Sequence, residues 1–313
     1  MIKPAIKKEF TFPSTTGLAD IHAASYLPDG KEVKAVLQIA HGMAEHLERY
    51  EAFADVLCDN GIAVYINDHI GHGKSVKNDD ELGYFGKVDG WNGFIEDCHE
   101  LTKIAKAENP GKPYIFFGHS MGSFVARAYS LKYANEINGA IYCGTAGPNP
   151  ASAIGIKLSG LIAKIKGDHF RSNLINNIAF GSYNSKFEGR TAFDWLSRDV
   201  EQVDKYIADK YCGFLFTANG YRDLMTLLDF VSNKNWFANL SKELPVLMIS
   251  GAMDPVGDYS KGVETVYNTL KENGKKNIKK ILYPNGRHEI LNEKACFDKV
   301  CEDVIAWVNE TIG

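Results

Sequence analysis

The chain has 313 residues, 45% of them hydrophobic and 24% charged, with a formal net charge of −4 at pH 7. That length supports one large folded core or two smaller ones, and the mild acidity provides no basic field for a phosphate backbone, so nucleic acid is not an expected partner. The longest apolar runs reach only about 8–10 residues, far short of the roughly 20 a membrane-crossing helix needs, and Met1–Lys8 is charged and broken by Pro4 where a secretory leader would be apolar.

Residues Lys7–Phe12 and Ile21–Leu27 are predicted strands joined by the turn Ser14-Thr15-Thr16-Gly17, an antiparallel opening to a sheet. Ala35–Ala40 and Ile62–Ile66 follow as almost continuous apolar runs, which strands buried on both faces of a parallel sheet require. Between them Leu47–Cys58 places Tyr50, Phe53, Ala54 and Leu57 at helical spacing. The alternation continues with helix Trp91–Ala107, strand Tyr114–Phe117, helix Met121–Tyr133 and strand Gly139–Cys143. After a break it resumes with strand Val246–Ser250, helix Lys261–Asn273, strand Ile278–Leu282 and helix Glu293–Asn309. The pattern is that of an α/β protein with a mostly parallel, doubly wound sheet. The break carries no strand pattern, and its segments Ile154–Ile165, Leu174–Ile178, Phe193–Ile207 and Phe214–Phe230 read as short helices. The expected division is therefore a core over 1–147, a helical cap over 148–236 and the rest of the core over 237–313. A cap over the carboxyl edge of a sheet is placed to act as a lid.

The most informative residues are Gly118-His119-Ser120-Met121-Gly122, between a predicted strand and a predicted helix. A Gly-x-Ser-x-Gly turn in that setting holds its serine in a strained conformation and lifts the hydroxyl clear of the sheet. A serine hydroxyl attacks a carbonyl only if a histidine takes its proton and a carboxylate orients that histidine. Of nine histidines, His288 lies in the loop after the last predicted strand, on the same sheet edge as Ser120. Asp254 follows strand Val246–Ser250 and reaches that edge too, with Asp258 as the fallback. The developing oxyanion needs two backbone donors, expected from Met121 at the start of its helix and from Met43, turned toward the site by Gly42.

His41, His46, Asp68, His69 and His72 cluster around two predicted strand ends, but their spacing matches no zinc pattern. The segment Asp68-His69-Ile70-Gly71-His72-Gly73-Lys74-Ser75 is instead expected to be a loop whose polar side chains tie neighbouring loops together by hydrogen bonds, and neither a metal nor a cofactor is expected. The six cysteines (Cys58, Cys98, Cys143, Cys212, Cys296 and Cys301) form no Cys-x-x-Cys pair. Free thiols in a cytoplasmic protein are the natural reading.

Taken together, His41-Gly42-x-x-Glu45-His46-x-x-Arg49-Tyr50, Asp68-x-x-Gly71-His72-Gly73-x-Ser75, Gly118-His119-Ser120-Met121-Gly122, Gly251-x-x-Asp254-Pro255-Val256 and His288 resemble the monoacylglycerol lipase and lysophospholipase group of α/β-hydrolases, which is serine aminopeptidase-like. The resemblance implies the α/β-hydrolase fold with a triad of Ser120, Asp254 and His288 and oxyanion donors at Met43 and Met121. It also implies hydrolysis of carboxylic esters, most naturally a small-molecule monoester with a long acyl chain. Ser123 departs from it, standing where the group usually carries a second glycine. The alternatives are a short-chain or aryl esterase, or an amidase or peptidase, using the same triad, and, more remotely, a non-catalytic receptor on the same fold. Within the cap, the stripe Ile154, Ile156, Leu158, Leu161, Ile162 and Ile165 reads first as packing and second as a weak membrane-docking surface, with Lys157, Lys164 and Lys166 beside it.

Overall fold

The computed structural model describes residues 3–313, so the first two residues of the stretch read above for a leader lie outside it. Eight strands form one sheet: β1 (Ile6–Pro13), β2 (Asp20–Leu27), β3 (Ala35–Ala40), β4 (Ile62–Asn67), β5 (Tyr114–His119), β6 (Gly139–Cys143), β7 (Val246–Gly251) and β8 (Ile278–Tyr283). Their order across the sheet is β1-β2-β4-β3-β5-β6-β7-β8. The β1–β2 and β2–β4 pairings are antiparallel, and every pairing from β4 through β8 is parallel. The turn Ser14–Gly17 closes the first hairpin and is held by Asp97, which accepts from Ser14 Oγ and Thr15 N at 2.8 and 2.7 Å.

Every side chain of β3, β4, β5, β6 and β7 is buried, as the continuous apolar runs require. Alternate residues serve two cores. Val36, Phe116, Tyr142 and Met248 face the layer of α2 (Gly90–Glu108) and α3 (Met121–Lys132), whereas Leu37, Phe117, Ile141 and Leu247 face α1 (Glu51–Asp59) and α10 (Lys294–Ile312). The stretch predicted as one helix over Leu47–Cys58 divides at Tyr50 into a short 3-10 turn followed by α1. Its first residues are tied elsewhere: the Leu47 amide donates to Asp68, and Arg49 and Tyr50 donate to Glu45.

Helices α4 (Ser152–Lys166), α5 (Asn173–Phe180), α6 (Val200–Ala208) and α7 (Ala218–Ser232) lie between β6 and β7 in sequence. The helix expected over Phe193–Ile207 begins only at Val200. Residues 194–197 stay irregular because their carbonyls are used by the loop after β8. Arg287 donates to the Asp194 and Ser197 carbonyls at 2.6 and 3.2 Å, and the Glu289 amide donates to that of Leu196 at 2.7 Å. The expected cap boundary at 236 falls inside α8 (Lys234–Asn239), where the Trp236 indole donates to the Arg127 carbonyl of α3 at 2.8 Å.

Of the cap stripe read as packing, Ile154, Leu161 and Ile165 are instead exposed, while Ile156, Leu158 and Ile162 are half-buried. Among the described residues no helix is long and apolar enough to cross a membrane.

Candidate active site

Ser120 sits where β5 gives way to α3, with φ 55° and ψ −121°. A side chain of this kind held at positive φ costs on the order of 1–3 kcal/mol, which the surrounding packing must sustain. A Cβ on Gly118 would overlap the Gly122 carbonyl, and one on Gly122 would overlap the carbonyls of Ala40 and His41. The two glycines therefore let α3 press against β3 and β5 so closely that the turn between them has no freedom left. The Ser120 amide donates to the Cys143 carbonyl at 2.9 Å, and the Ser123 hydroxyl donates to the Ser120 carbonyl at 2.5 Å. Ser123, the departure noted in the sequence, thus adds a bond to the turn.

Two backbone amides flank the serine. Met121 is the first residue of α3, so its amide has no acceptor within the helix and lies at the positive end of the helix dipole. Met43 lies in the loop after β3, and a Cβ on Gly42 would sit 3.1 Å from Ser120 Cβ, which measures how closely that loop approaches. Among the described residues neither amide has a hydrogen-bond partner. The Gly42 amide, by contrast, is taken by the Glu45 carboxylate at 2.5 Å.

At the ends of β7 and β8, His288 Nδ1 lies 3.0 Å from each carboxylate oxygen of Asp254. The carboxylate is itself fixed by the Val256 amide at 2.9 Å and the Ser250 hydroxyl at 3.3 Å, and both members of the pair are buried. Asp258, the fallback, is exposed and lies 3.9 Å from Lys261. Ser120, Met43, Met121 and His288 line one cavity of about 1170 Å³. Among the described residues no hydrogen bond joins the Ser120 hydroxyl to His288 Nε2.

A buried ionic network braces these pieces. Glu45 accepts from Arg49 and Tyr50, each at 2.8 Å, and lies 3.3 Å from His119 Nδ1. Arg49 also grips both oxygens of Glu289 at 2.6 Å, a fork that matches guanidinium to carboxylate. His119 Nε2 donates to the His288 carbonyl at 3.2 Å. Burial opposes charge on His119, but Glu45 outweighs it and raises the imidazole above its usual range. The loop bearing Met43, the serine turn and the His288 loop are thus joined through one charged cluster. The sequence held a signal for it in Glu45 and Arg49, one helical turn apart, but not for their partners His119 and Glu289.

The polar cluster around the ends of β3 and β4 behaves as expected only in part. Asp68 collects the amides of Leu47 and Lys74 at 2.8 and 2.9 Å and His22 at 2.9 Å. His41 donates through Nδ1 to the Gly42 carbonyl at 2.8 Å and accepts the His69 amide at 2.9 Å. The rings of His69 and His72 do not tie loops together: both His69 nitrogens and His72 Nε2 are buried without partners among the described residues. They pack as aromatic rings instead, His72 stacking on Phe85 at 5.4 Å. Burial holds His41, His69 and His72 below the usual histidine range, His72 to about 3. The described residues whose ligand atoms do converge are His46, Asp209 and Cys212.

Other residues at the site come from the cap and had no local signal. The ring of Trp195 lies 5.1 Å from that of His288, and its carbonyl accepts the His288 amide at 3.4 Å. Ile154 and Leu158 of α4 and Leu224, Met225 and Leu228 of α7 line the cavity opposite the sheet.

A serine on a strand-to-helix turn, above a parallel sheet with antiparallel first strands and a helical cap, defines the molecule as a serine hydrolase of the α/β-hydrolase fold. The sequence profile described as "Serine aminopeptidase, S33" matches residues 31–295, and the chain belongs to that family. Among curated proteins it is 27% identical to the monoacylglycerol lipase of Mycolicibacterium smegmatis, over 96% of this chain and 97% of that protein. It is 26% identical to the monoglyceride lipase of Homo sapiens, over 88% and 83% respectively. Among solved structures, a thermostable carboxyl esterase from Bacillus coagulans in complex with glycerol superimposes with a TM-score of 0.92 at 29% identity, covering 98% of this chain and 99% of that one.

Proposed function

We propose that the protein is a carboxylic ester hydrolase working through an acyl-enzyme on Ser120, with monoacylglycerols or lysophospholipids as its substrates. The carrying observation is that His288, held from behind by the buried Asp254, lines the same cavity as a strained serine flanked by two free amides. In this reading His288 Nε2 takes the Ser120 proton as the hydroxyl oxygen bonds to the ester carbon. It then passes that proton to the departing alcohol as the tetrahedral species collapses. Water repeats the sequence to release the acid. Asp254 accepts from Nδ1–H, so the imidazole presents its free lone pair to the serine, and the Met43 and Met121 amides hold the oxyanion. The bond between Ser120 and His288 forms as substrate arrives, since such contacts are often long in an empty site. No cofactor enters the scheme. Residues 148–236 act as the cap, between core segments 1–147 and 237–313. The buried, unpaired state of all six cysteines supports a reducing compartment such as the cytoplasm.

Long-chain monoesters are favoured by the relatives named as monoacylglycerol lipases and by the apolar cap wall. The glycerol held by the B. coagulans esterase supports a glycerol leaving group. Burying each methylene contributes about 0.8 kcal/mol, or roughly a fourfold gain in kcat/KM per carbon until the cavity is full. A series of p-nitrophenyl esters from acetate upward should climb on that slope. A maximum at acetate would assign the site to a short-chain esterase.

The exposed Ile154, Leu161 and Ile165, with Lys157, Lys164 and Lys166 on the same helix, support transient contact of the cap with a lipid surface. Co-sedimentation with anionic vesicles should fall at least tenfold in the triple variant Ile154→Ser, Leu161→Ser, Ile165→Ser. Equal sedimentation of both proteins would remove this surface from the account.

A further inference from the structure

We propose that His46, Asp209 and Cys212 form a binding site for a soft divalent cation, Zn²⁺ or a cation of similar preference, that pins the cap to the loop carrying the Met43 amide. His46 belongs to the core, three residues beyond Met43, whereas Asp209 and Cys212 follow α6 in the cap. One ligand atom from each residue lies within 4.8 Å of the other two. His46 Nε2 and Asp209 Oδ2 are already 2.8 Å apart. Zinc bonded to nitrogen, oxygen and sulfur in a tetrahedron sets its ligand atoms about 3.3–3.6 Å apart, so the His46–Asp209 pair must open by about half an ångström and the wider separations close by about an ångström or less to take the ion.

The local backbone is built for it. Asp209 Oδ1 accepts the Tyr211 amide at 2.8 Å, which turns Oδ2 toward His46, and the Cys212 amide donates to the Asp209 carbonyl at 3.1 Å, which brings the sulfur round to the same side. A partner that fixes the far oxygen of a ligating carboxylate is the kind of outer support that metal sites use. His46 and Cys212 are buried, while the Asp209 side chain is 32% exposed and provides the route in.

Charge favours a cation as well. Arg49 lies near both Asp209 and Cys212, but Glu45, Glu289 and Asp209 together outnumber Arg49 and the His119 that Glu45 holds toward its charged form, so the surroundings carry net negative charge. Binding takes the Cys212 proton to solvent and leaves a thiolate on the metal, while the proton shared between His46 Nε2 and Asp209 Oδ2 leaves that nitrogen and the ring carries its proton on Nδ1, which frees the Nε2 lone pair and the carboxylate oxygen for the ion. Three protein ligands leave one position for water.

The consequence reaches the reaction site through two contacts already in place. The Gly213 amide and the Tyr206 hydroxyl both donate to the Ala44 carbonyl, at 2.9 and 3.1 Å, so the segment after Cys212 holds the residue next to Met43. A metal at residue 212 stiffens that junction.

The test uses Co²⁺ as a spectroscopic probe on the full chain, independent of any esterase assay. Titration should give one equivalent with a thiolate-to-cobalt charge-transfer band, displaced by Zn²⁺, and Zn²⁺ should raise the thermal unfolding midpoint. Cys212→Ser should abolish the band and the thermal shift, and Asp209→Asn should weaken Co²⁺ binding at least tenfold while keeping the sulfur. Absence of the band in the native protein overturns the proposal. So does a band that survives in Cys212→Ser, which would place the metal on another thiol, or unchanged affinity in Asp209→Asn.

Discussion

Replacing Ser120 with alanine should lower kcat by roughly 10⁵- to 10⁶-fold while the protein still folds, because the nucleophile and its base act as a unit and little catalysis survives the loss of either. His288→Ala should fall equally far, and the double variant no further than either alone. Asp254→Asn should retain more, losing about 10⁴-fold, since the pair at 3.0 Å fixes the tautomer and orientation of the imidazole without itself attacking. A fluorophosphonate probe followed by mass spectrometry should place its adduct on Ser120 in the native enzyme and nowhere in Ser120→Ala. Activity of Ser120→Ala above about one per cent of native would end the acyl-enzyme reading, because the two amides alone account for far less.

The second large effect lies in stability against acid, and it separates two buried groups of opposite sign. His72 is held down to about 3 by burial. The unfolded chain takes up that proton below about 6.5, and the folded chain refuses it until about 3. Its contribution is therefore intact above 6.5 and is lost as the pH falls toward 3. Asp223 on α7 is pushed up to about 7 by burial and the nearby Asp89. The folded chain holds that proton from about 7 downward while the unfolded chain ionises, so Asp223 gains stability over the same interval. At about 1.4 kcal/mol per pH unit, each contribution amounts to roughly 3 kcal/mol between pH 6.5 and 4. The native protein should thus show a shallow net dependence. His72→Phe, whose ring can keep the stacking on Phe85, should gain about 3 kcal/mol relative to native across that interval. Asp223→Asn should lose a similar amount. Urea unfolding at several pH values reads both, and parallel curves for all three proteins would refute the assignment. His41 and His69 act in the same direction as His72, while His22 and His119, raised above the usual range against the effect of burial by Asp68 and Glu45 respectively, act in the other.

Where the sequence was legible, the signal was local. Apolar runs such as Ala35–Ala40 and Gly139–Cys143 coincide with β3 and β6 residue for residue, because a strand buried on both faces is almost wholly apolar; the polar exception in β3, Gln38, is kept by its bonds to the Cys98 carbonyl and the Thr102 hydroxyl. Ser120 and its two glycines are legible for a similar reason, the turn being decided within five residues. His288 and Asp254 followed from their places after β8 and β7. The cap was legible only as helical material. Its stripe read as packing is partly exposed, since hydropathy identifies an apolar face without saying what covers it. Residues 193–199 carried a helical pattern that long-range hydrogen bonding overrode. The expectation of no metal was drawn from spacing within one stretch of chain, and such spacing does not register that His46 meets Asp209, 163 positions away.

Arg287 and Glu289 bond to carbonyls of residues 194–197 on either side of His288, whose own amide does the same. The loop bearing the histidine is in effect sewn to the roof of the cavity. An engineer who swaps or trims that roof to admit bulkier esters would be unpicking the seam that holds the imidazole. Designs that keep residues 190–199 and graft only α4 and α5 should preserve turnover, whereas wholesale roof exchange should be slow however well the new substrate fits.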